Sequence, residues 1–395
     1  MQDISHHALF EIVESVPVET DYGHPETLRT QAAWLDMIQS ATTSIDIGAF
    51  YFSGEPGEAL DPILEAINAA AARGVNVRLV LDEAFRDQSA ATVALLTQGE
   101  HLVIRYIPMG QLTGGVMHAK YMIVDKHDCF VGSQNFDWKA LDHIHEIGVR
   151  IKSDAIAHTI DKVFELDWQL AETKNVTTHQ QLLFEPDDGL VSSDMPVIFQ
   201  EGEQYFTVHP AFSPQGLLPM GVDWEQDELI RLLKKARHHV HAQVLQYSAD
   251  AGFHRKGYWA ALDNALREAA GRGVKIEMIM SDWSMASPSV DYVKSLAIIP
   301  NITIKFSTVP AYSGGFLEFA RVEHCKYLVI DEDTSWVGTG NWEWSYFNNT
   351  RNIAIIAKHK RIARQLTEIF KKGWDSQYVQ LVDPNKLYEP PKTHH

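Results

Sequence analysis

His118-Ala-Lys120 and His324-Cys-Lys326 open two ungapped copies of one pattern. In each copy an aspartate (Asp125 or Asp331) follows the lysine, and then Gly132-Ser133-Gln134-Asn135 or Gly338-Thr339-Gly340-Asn341. A lone His-x-Lys is most often a solvent-facing pair. A doubled set with a matching asparagine is a chemical constellation. Two histidines can divide the roles of nucleophile and general acid. Two lysines and two amides supply donors around a phosphoryl group as its charge develops. Such a set suits phosphodiester cleavage through a covalent phosphohistidine and requires no metal and no cofactor. Alternate residues of a strand share a face, so His118 points with Lys120 and Asp125 points away, as do their counterparts. The aspartates are therefore expected to anchor backbone rather than touch substrate.

The elements that must position these residues also repeat. Residues 58–73 and 258–272 are Ala-rich with apolar helical spacing, and each run stops at a glycine, Gly74 or Gly273. Apolar strands are expected at Val77–Leu81 and Ile276–Met280, and further strands from Ser44 and His239. Alternating helices and buried strands imply an α/β fold. The weakly periodic stretch 172–225, with Asp187-Asp188-Gly189 and several prolines, reads as a linker. Two halves are expected, 1–190 and 191–395, facing each other across a pseudo-twofold axis, because neither alone holds a complete catalytic set.

The doubled pattern His-x-Lys-x4-Asp-x6-Gly-(Ser/Thr)-x-Asn resembles the signature of the phospholipase D superfamily, and both copies match it in full. The resemblance extends over nearly the whole chain. Val13-Glu-Ser-Val-Pro17, Leu112-Thr-Gly-Gly-Val-Met-His118, Asn135-Phe-Asp-Trp138, Ser213-Pro-Gln-Gly-Leu-Leu-Pro219, Ala320-Arg-Val-Glu-His324 and Asn341-Trp-Glu-Trp-Ser-Tyr-Phe347 are similar to the branch of lysosomal phospholipase D-like 5′ exonucleases and related poxvirus proteins. The resemblance implies two pseudo-symmetric α/β/α sandwich halves sharing one interfacial site. It implies His118 as nucleophile, His324 as general acid, and Lys120, Lys326, Asn135 and Asn341 on the nonbridging oxygens. Ser133, Thr339, Trp138, Arg351 and Asn352 are expected near the substrate. In many members a carboxylate 28 positions after the histidine orients its ring. That position is Glu146 in the first half but Asn352 in the second, so His324 is expected to lack its carboxylate. The implied substrate is single-stranded DNA or RNA, with phospholipid hydrolysis or phosphatidyl transfer as the alternative and a non-catalytic protein as the third.

Composition bounds these readings. With 34 Lys+Arg against 52 Asp+Glu the formal net charge is −18, which argues against a protein that coats nucleic acid electrostatically. No apolar run approaches a membrane span, and the first residues carry no basic-then-apolar secretory pattern. Compartment and possible homodimerisation stay open. The two cysteines, Cys129 and Cys325, exclude a disulfide framework and read as packing. His143-Ile-His145 and His238-His-Val-His241 read as hydrogen-bonded or surface histidines rather than metal ligands. Trp138, Trp342, Trp344, Tyr346 and Phe347 flank the motifs as stacking or core residues, with Phe136 and Trp342 expected in the core. Arg321, Arg351 and Arg255 are further candidates for phosphate contact.

Overall fold

Apolar runs buried on both faces form the parallel part of each half. In the computed structural model, which describes residues 9–252 and 257–394, strands Ser44–Ala49, Asn76–Asp82 and Leu102–Ile107 lie parallel. Their counterparts His239–Val244, Lys275–Ser281 and Ile302–Ser307 do the same. Parallel neighbours need a crossover, supplied by helices Asp61–Ala72 and Ala260–Gly271. These bury Ile63, Leu64 and Ile67, or Leu262, Ala265 and Leu266, against the sheets. Gly74 and Gly273 follow the two helix ends at φ of +91° and +92°, a conformation that glycine adopts without steric cost.

The chain then turns antiparallel. Tyr121–Val124 pairs with Asp128–Gly132, which pairs with Glu146–Lys152, which pairs with Phe10–Ser15. Tyr327–Ile330, Thr334–Gly338, Asn352–Lys358 and Gln204–Ser213 repeat that order. Among the described residues the two large sheets have eight and nine strands, and Phe52–Ser53 with Phe136–Asp137 forms a separate two-stranded pair. The stretch expected as a linker is not irregular throughout: Val197–Glu201 and Gln204–Ser213 form a hairpin at the edge of the second sheet. Its strand signal was masked by the flanking turn residues.

Three large apolar cores result among the described residues, beside a small cluster of Ile144, Leu245 and Val322. One holds residues of the first half alone and one those of the second. The third joins them: Ile123, Val131, Ile147 and Val149 pack with Tyr327, Val329, Val337 and Ile355, together with helices Asp154–Thr173 and Lys360–Trp374. The repeat is therefore visible in topology, while the packing makes one body. No helix among the described residues is long and apolar enough to cross a membrane.

Candidate active site

His118 and Lys120 lie just before strand Tyr121–Val124, and His324 and Lys326 just before Tyr327–Ile330. Strand parity is thus not what aims them. Each motif segment docks on the opposite half: His118 donates its backbone N–H to Arg351 O at 3.0 Å, and His324 to His145 O at 2.9 Å. This places the site at the interface. Lys120 Nζ donates to the carbonyl of His118, and Lys326 Nζ to that of His324. The lysines are fully enclosed, while His118, His324 and Asn135 keep 6%, 8% and 8% of their surface open. The buried side-chain carbonyls of Asn135 and Asn341 have no hydrogen-bond partner. Asp125 and Asp331 anchor backbone: Asp125 accepts from the N–H groups of Thr42, Thr43 and Ser44, and Asp331 from those of Arg237, His238 and His239.

The carboxylate expectation is corrected by a crossing of partners. Glu146, of the first half, accepts from Nδ1 of His324 at 2.7 Å. Asn352, of the second half, meets Nδ1 of His118 at 3.2 Å. His324 therefore has its carboxylate and His118 has the amide. The reason is tertiary: each ring reaches across the pseudo-twofold axis instead of down its own chain. Asn352 Nδ2 donates to Tyr346 O at 2.8 Å, and its Oδ1 accepts from Thr339 Oγ1 at 3.0 Å. Its oxygen is thereby aimed at His118.

Burial, with Lys120 and Lys326 nearby, holds the His118 imidazole well below its ordinary range. Burial and the same two lysines also lower His324. Burial pushes Glu146 up to about 8 against the pull of Lys326 and Lys120. Glu146 and His324 therefore share one proton across the neutral range. Burial also lowers Lys326 to about 7 and Lys120 well below the usual lysine range. An anion held between them would reverse that penalty.

Several expected substrate contacts lie elsewhere. Arg351 is fully buried, paired with Asp167 through Nε (2.9 Å) and Nη2 (2.8 Å), and donates to the carbonyls of Ser213 and Leu217. A guanidinium so enclosed clamps the two halves and does not reach substrate. Ser133 and Thr339 have no open surface; Ser133 Oγ bonds Ile147 O, and Thr339 bonds Asn352. With Asn352 they orient other groups. Trp138 is half-buried, edge-on to His143 at 5.3 Å. Phe136 and Trp342 are core residues. Arg321 donates to the carbonyls of Pro310 and Val18, and Arg255 lies outside the described residues.

Sequence reasoning missed His145 as a clamp. Its ring lies between Glu323 at 2.8 Å and Glu14 at 3.1 Å and stacks on Tyr22 at 4.4 Å. Both carboxylates raise it to about 10 against burial. The repeat contained the signal: His145 and Arg351 occupy matched positions, both buried cations one residue before Glu146 and Asn352. His145, Glu323 and Cys325 come within 4.8 Å of one another, as do His209, Asp223 and Glu228. In the structure His145 and His209 are each paired with carboxylates. Both cysteines are free and buried.

The family description "Cardiolipin synthase, PLD-like domain" matches residues 34–168 and 229–374. The 5'-3' exonuclease PLD3 of Rattus norvegicus is 30% identical over 94% of this chain and 80% of its own length. Phospholipase D Y of Dictyostelium discoideum is 30% identical over 94% of this chain and 91% of its own. The crystal structure of phosphatidylserine synthase from Haemophilus influenzae shares the fold, with a TM-score of 0.64 at 11% identity over 91% of this chain and 86% of that one. Two motif copies at one interface and matches along both halves lead to one conclusion: the chain belongs to the phospholipase D superfamily and is a phosphodiesterase.

Proposed function

We propose that the protein is an exonuclease that shortens single-stranded DNA or RNA from the 5′ end through a phosphohistidine on His118. The observation that carries the mechanism is the difference in partner at the two Nδ1 atoms, an amide oxygen at His118 and a carboxylate at His324. Asn352 presents an oxygen to His118 Nδ1, so that nitrogen holds the proton and Nε2 keeps its lone pair. Glu146 supports a proton on His324 Nδ1, and wherever the shared proton rests, Nε2 of His324 carries a hydrogen. His118 Nε2 forms the bond to phosphorus as the bond to the leaving oxygen breaks, and that oxygen takes the proton of His324. In the second step His324 removes a proton from water, whose oxygen displaces His118 from phosphorus. Lys120, Lys326, Asn135 and Asn341 hold the nonbridging oxygens.

The name of the rat relative supports a nucleic-acid substrate. That of the Dictyostelium relative supports phospholipid turnover as the second reading. End-labelled single strands, duplexes and phospholipid vesicles, each incubated with the wild type and His118→Asn in EDTA, separate the two. Stepwise loss of nucleotides from the 5′ end, absent in His118→Asn, is expected. Lipid turnover with intact oligonucleotides would overturn the nuclease reading.

A further inference from the structure

The two halves repeat the catalytic groups but not the walls around them. Phe50 lies 5.0 Å from the His118 ring, and Phe85 lies 4.1 Å from Phe50. Tyr346 closes the opposite side of His118, edge-on at 5.0 Å. All three aromatics are half-buried, so each keeps a face or edge open beside the nearly enclosed imidazole. The position of Phe85 is set relative to His118. Asp82 accepts from Ala84 N at 2.8 Å with one carboxylate oxygen, and from Met117 N with the other. One side chain thus ties the short helix Glu83–Phe85 to the segment that carries the catalytic histidine.

Strand register gives the matching positions in the second half. Ser44–Ala49 corresponds to His239–Val244, so Leu245 stands where Phe50 does. Asn76–Asp82 corresponds to Lys275–Ser281, so Ser284 stands where Phe85 does. Ser284 spends its hydroxyl on the carbonyl of Leu245 at 3.0 Å. Both halves share the same motif, yet the positions that match Phe50 and Phe85 hold Leu245 and Ser284. The chemistry of the motif does not require the aromatic pair.

We propose that Phe50 and Phe85 form a stacking platform for the base of the terminal nucleotide. The proposal rests on the nuclease reading above and deepens it. In the in-line displacement the bond from phosphorus to the 5′ oxygen of the second nucleotide breaks and that oxygen takes its proton from His324, while the terminal nucleoside stays on phosphorus through its 3′ oxygen, beside His118. An open aromatic face at that place recognises a nucleobase without regard to its hydrogen-bonding edge. The substrate preference it produces is for a terminal residue that carries a base, with little discrimination among bases.

The test uses a single strand with 2-aminopurine at its 5′ end, bound to the His324→Asn chain, in which the general acid is missing. Quenched fluorescence on binding is expected. Adding Phe85→Ala should abolish the quench and weaken binding about 5- to 150-fold, the range set by ~1–3 kcal/mol of stacking per base. Phe85→Trp should restore both. A strand with an abasic terminal residue should bind Phe85→Ala and its parent alike. Phe85 sits on a half-exposed turn, so the alanine variant should keep the parent's thermal unfolding profile. Binding by the His324→Asn chain with no quench, together with cleavage of the strand by the wild type, or a quench that survives Phe85→Ala, would overturn the platform and leave the nuclease reading standing. If the wild type neither binds nor cleaves any single strand and turns over phospholipid, both readings fall together.

Discussion

Arg351→Met tests whether the buried guanidinium is a clamp or a substrate contact. The change removes the positive partner of Asp167 and leaves the carbonyls of Ser213 and Leu217 without their donor. Asp167 is fully buried, and burial already pushes its pKa up against the pull of Arg351. Without Arg351 it must take a proton. From its ordinary pKa of 3.8, neutralisation at pH 7 costs about 4 kcal/mol, since each pH unit is worth about 1.4 kcal/mol. At pH 5 the same term falls to about 1.6 kcal/mol. The sign follows from a carboxyl whose folded-state pKa is raised above the unfolded one: the loss is absent below that unfolded value and grows as pH rises. The orphaned carbonyls add about 1–3 kcal/mol that does not depend on pH. Removing both charges in Arg351→Met/Asp167→Leu should recover most of the loss, because a buried pair replaced by apolar groups is often neutral. Denaturant midpoints for the wild type, both single variants and the double variant, at pH 5 and pH 7, give the comparison. A loss that is the same at both pH values, or a double variant no more stable than Arg351→Met, would refute the clamp. A raised KM in a stably folded Arg351→Met would instead support the substrate contact expected from sequence.

Three further outcomes follow from the same geometry. Glu146→Gln removes the carboxylate behind the proposed acid, and kcat should fall roughly 10²–10⁴-fold, the usual worth of general acid–base catalysis; a change under threefold would separate Glu146 from the reaction. The kcat/KM profile should favour mildly acidic pH. The lowered pKa of His118 keeps it neutral into acid, while Lys326 at about 7 and Glu146 at about 8, which shares its proton with His324, lose protons above neutrality; a flat profile from pH 5 to 9 would contradict the scheme. The pKa of His145 is raised to about 10, so its stabilisation is complete below about pH 6.5 and lost as pH rises through about 10. The denaturant-midpoint advantage of the wild type over His145→Gln should shrink between pH 7 and about pH 10.5, and an unchanged advantage would remove the charged clamp.

Much of the candidate site was legible because the motif repeats its residue types at fixed spacing. His118, Lys120 and Asn135, with their counterparts, could be read off two ungapped copies. So could the backbone-anchoring role of Asp125 and Asp331. The glycines of the motif have a steric reason that sequence alone does not disclose. A Cβ on Gly132 would collide with the backbone of Gly148, and one on Gly338 would enter the ring of Trp336. The hairpin Val197–Ser213 was hidden by the turn residues that flank it, while edge pairing with Asn352–Lys358 holds it in the sheet.

The sequence by itself determined that this chain is a duplication, that each half supplies one histidine and one lysine, and that the chemistry is phosphodiester transfer. Those conclusions rest on residue identity and spacing along one chain. Only the tertiary structure decided which partner each histidine receives. The family resemblance implied Glu146 for His118, but the interface gives it to His324, because the rings cross a symmetry axis that has no length along the chain. The same packing makes Arg351, expected at the substrate, a buried partner of Asp167. It also gives His118 and His324, which occupy matched positions of the repeat, an amide and a carboxylate respectively as ring partners.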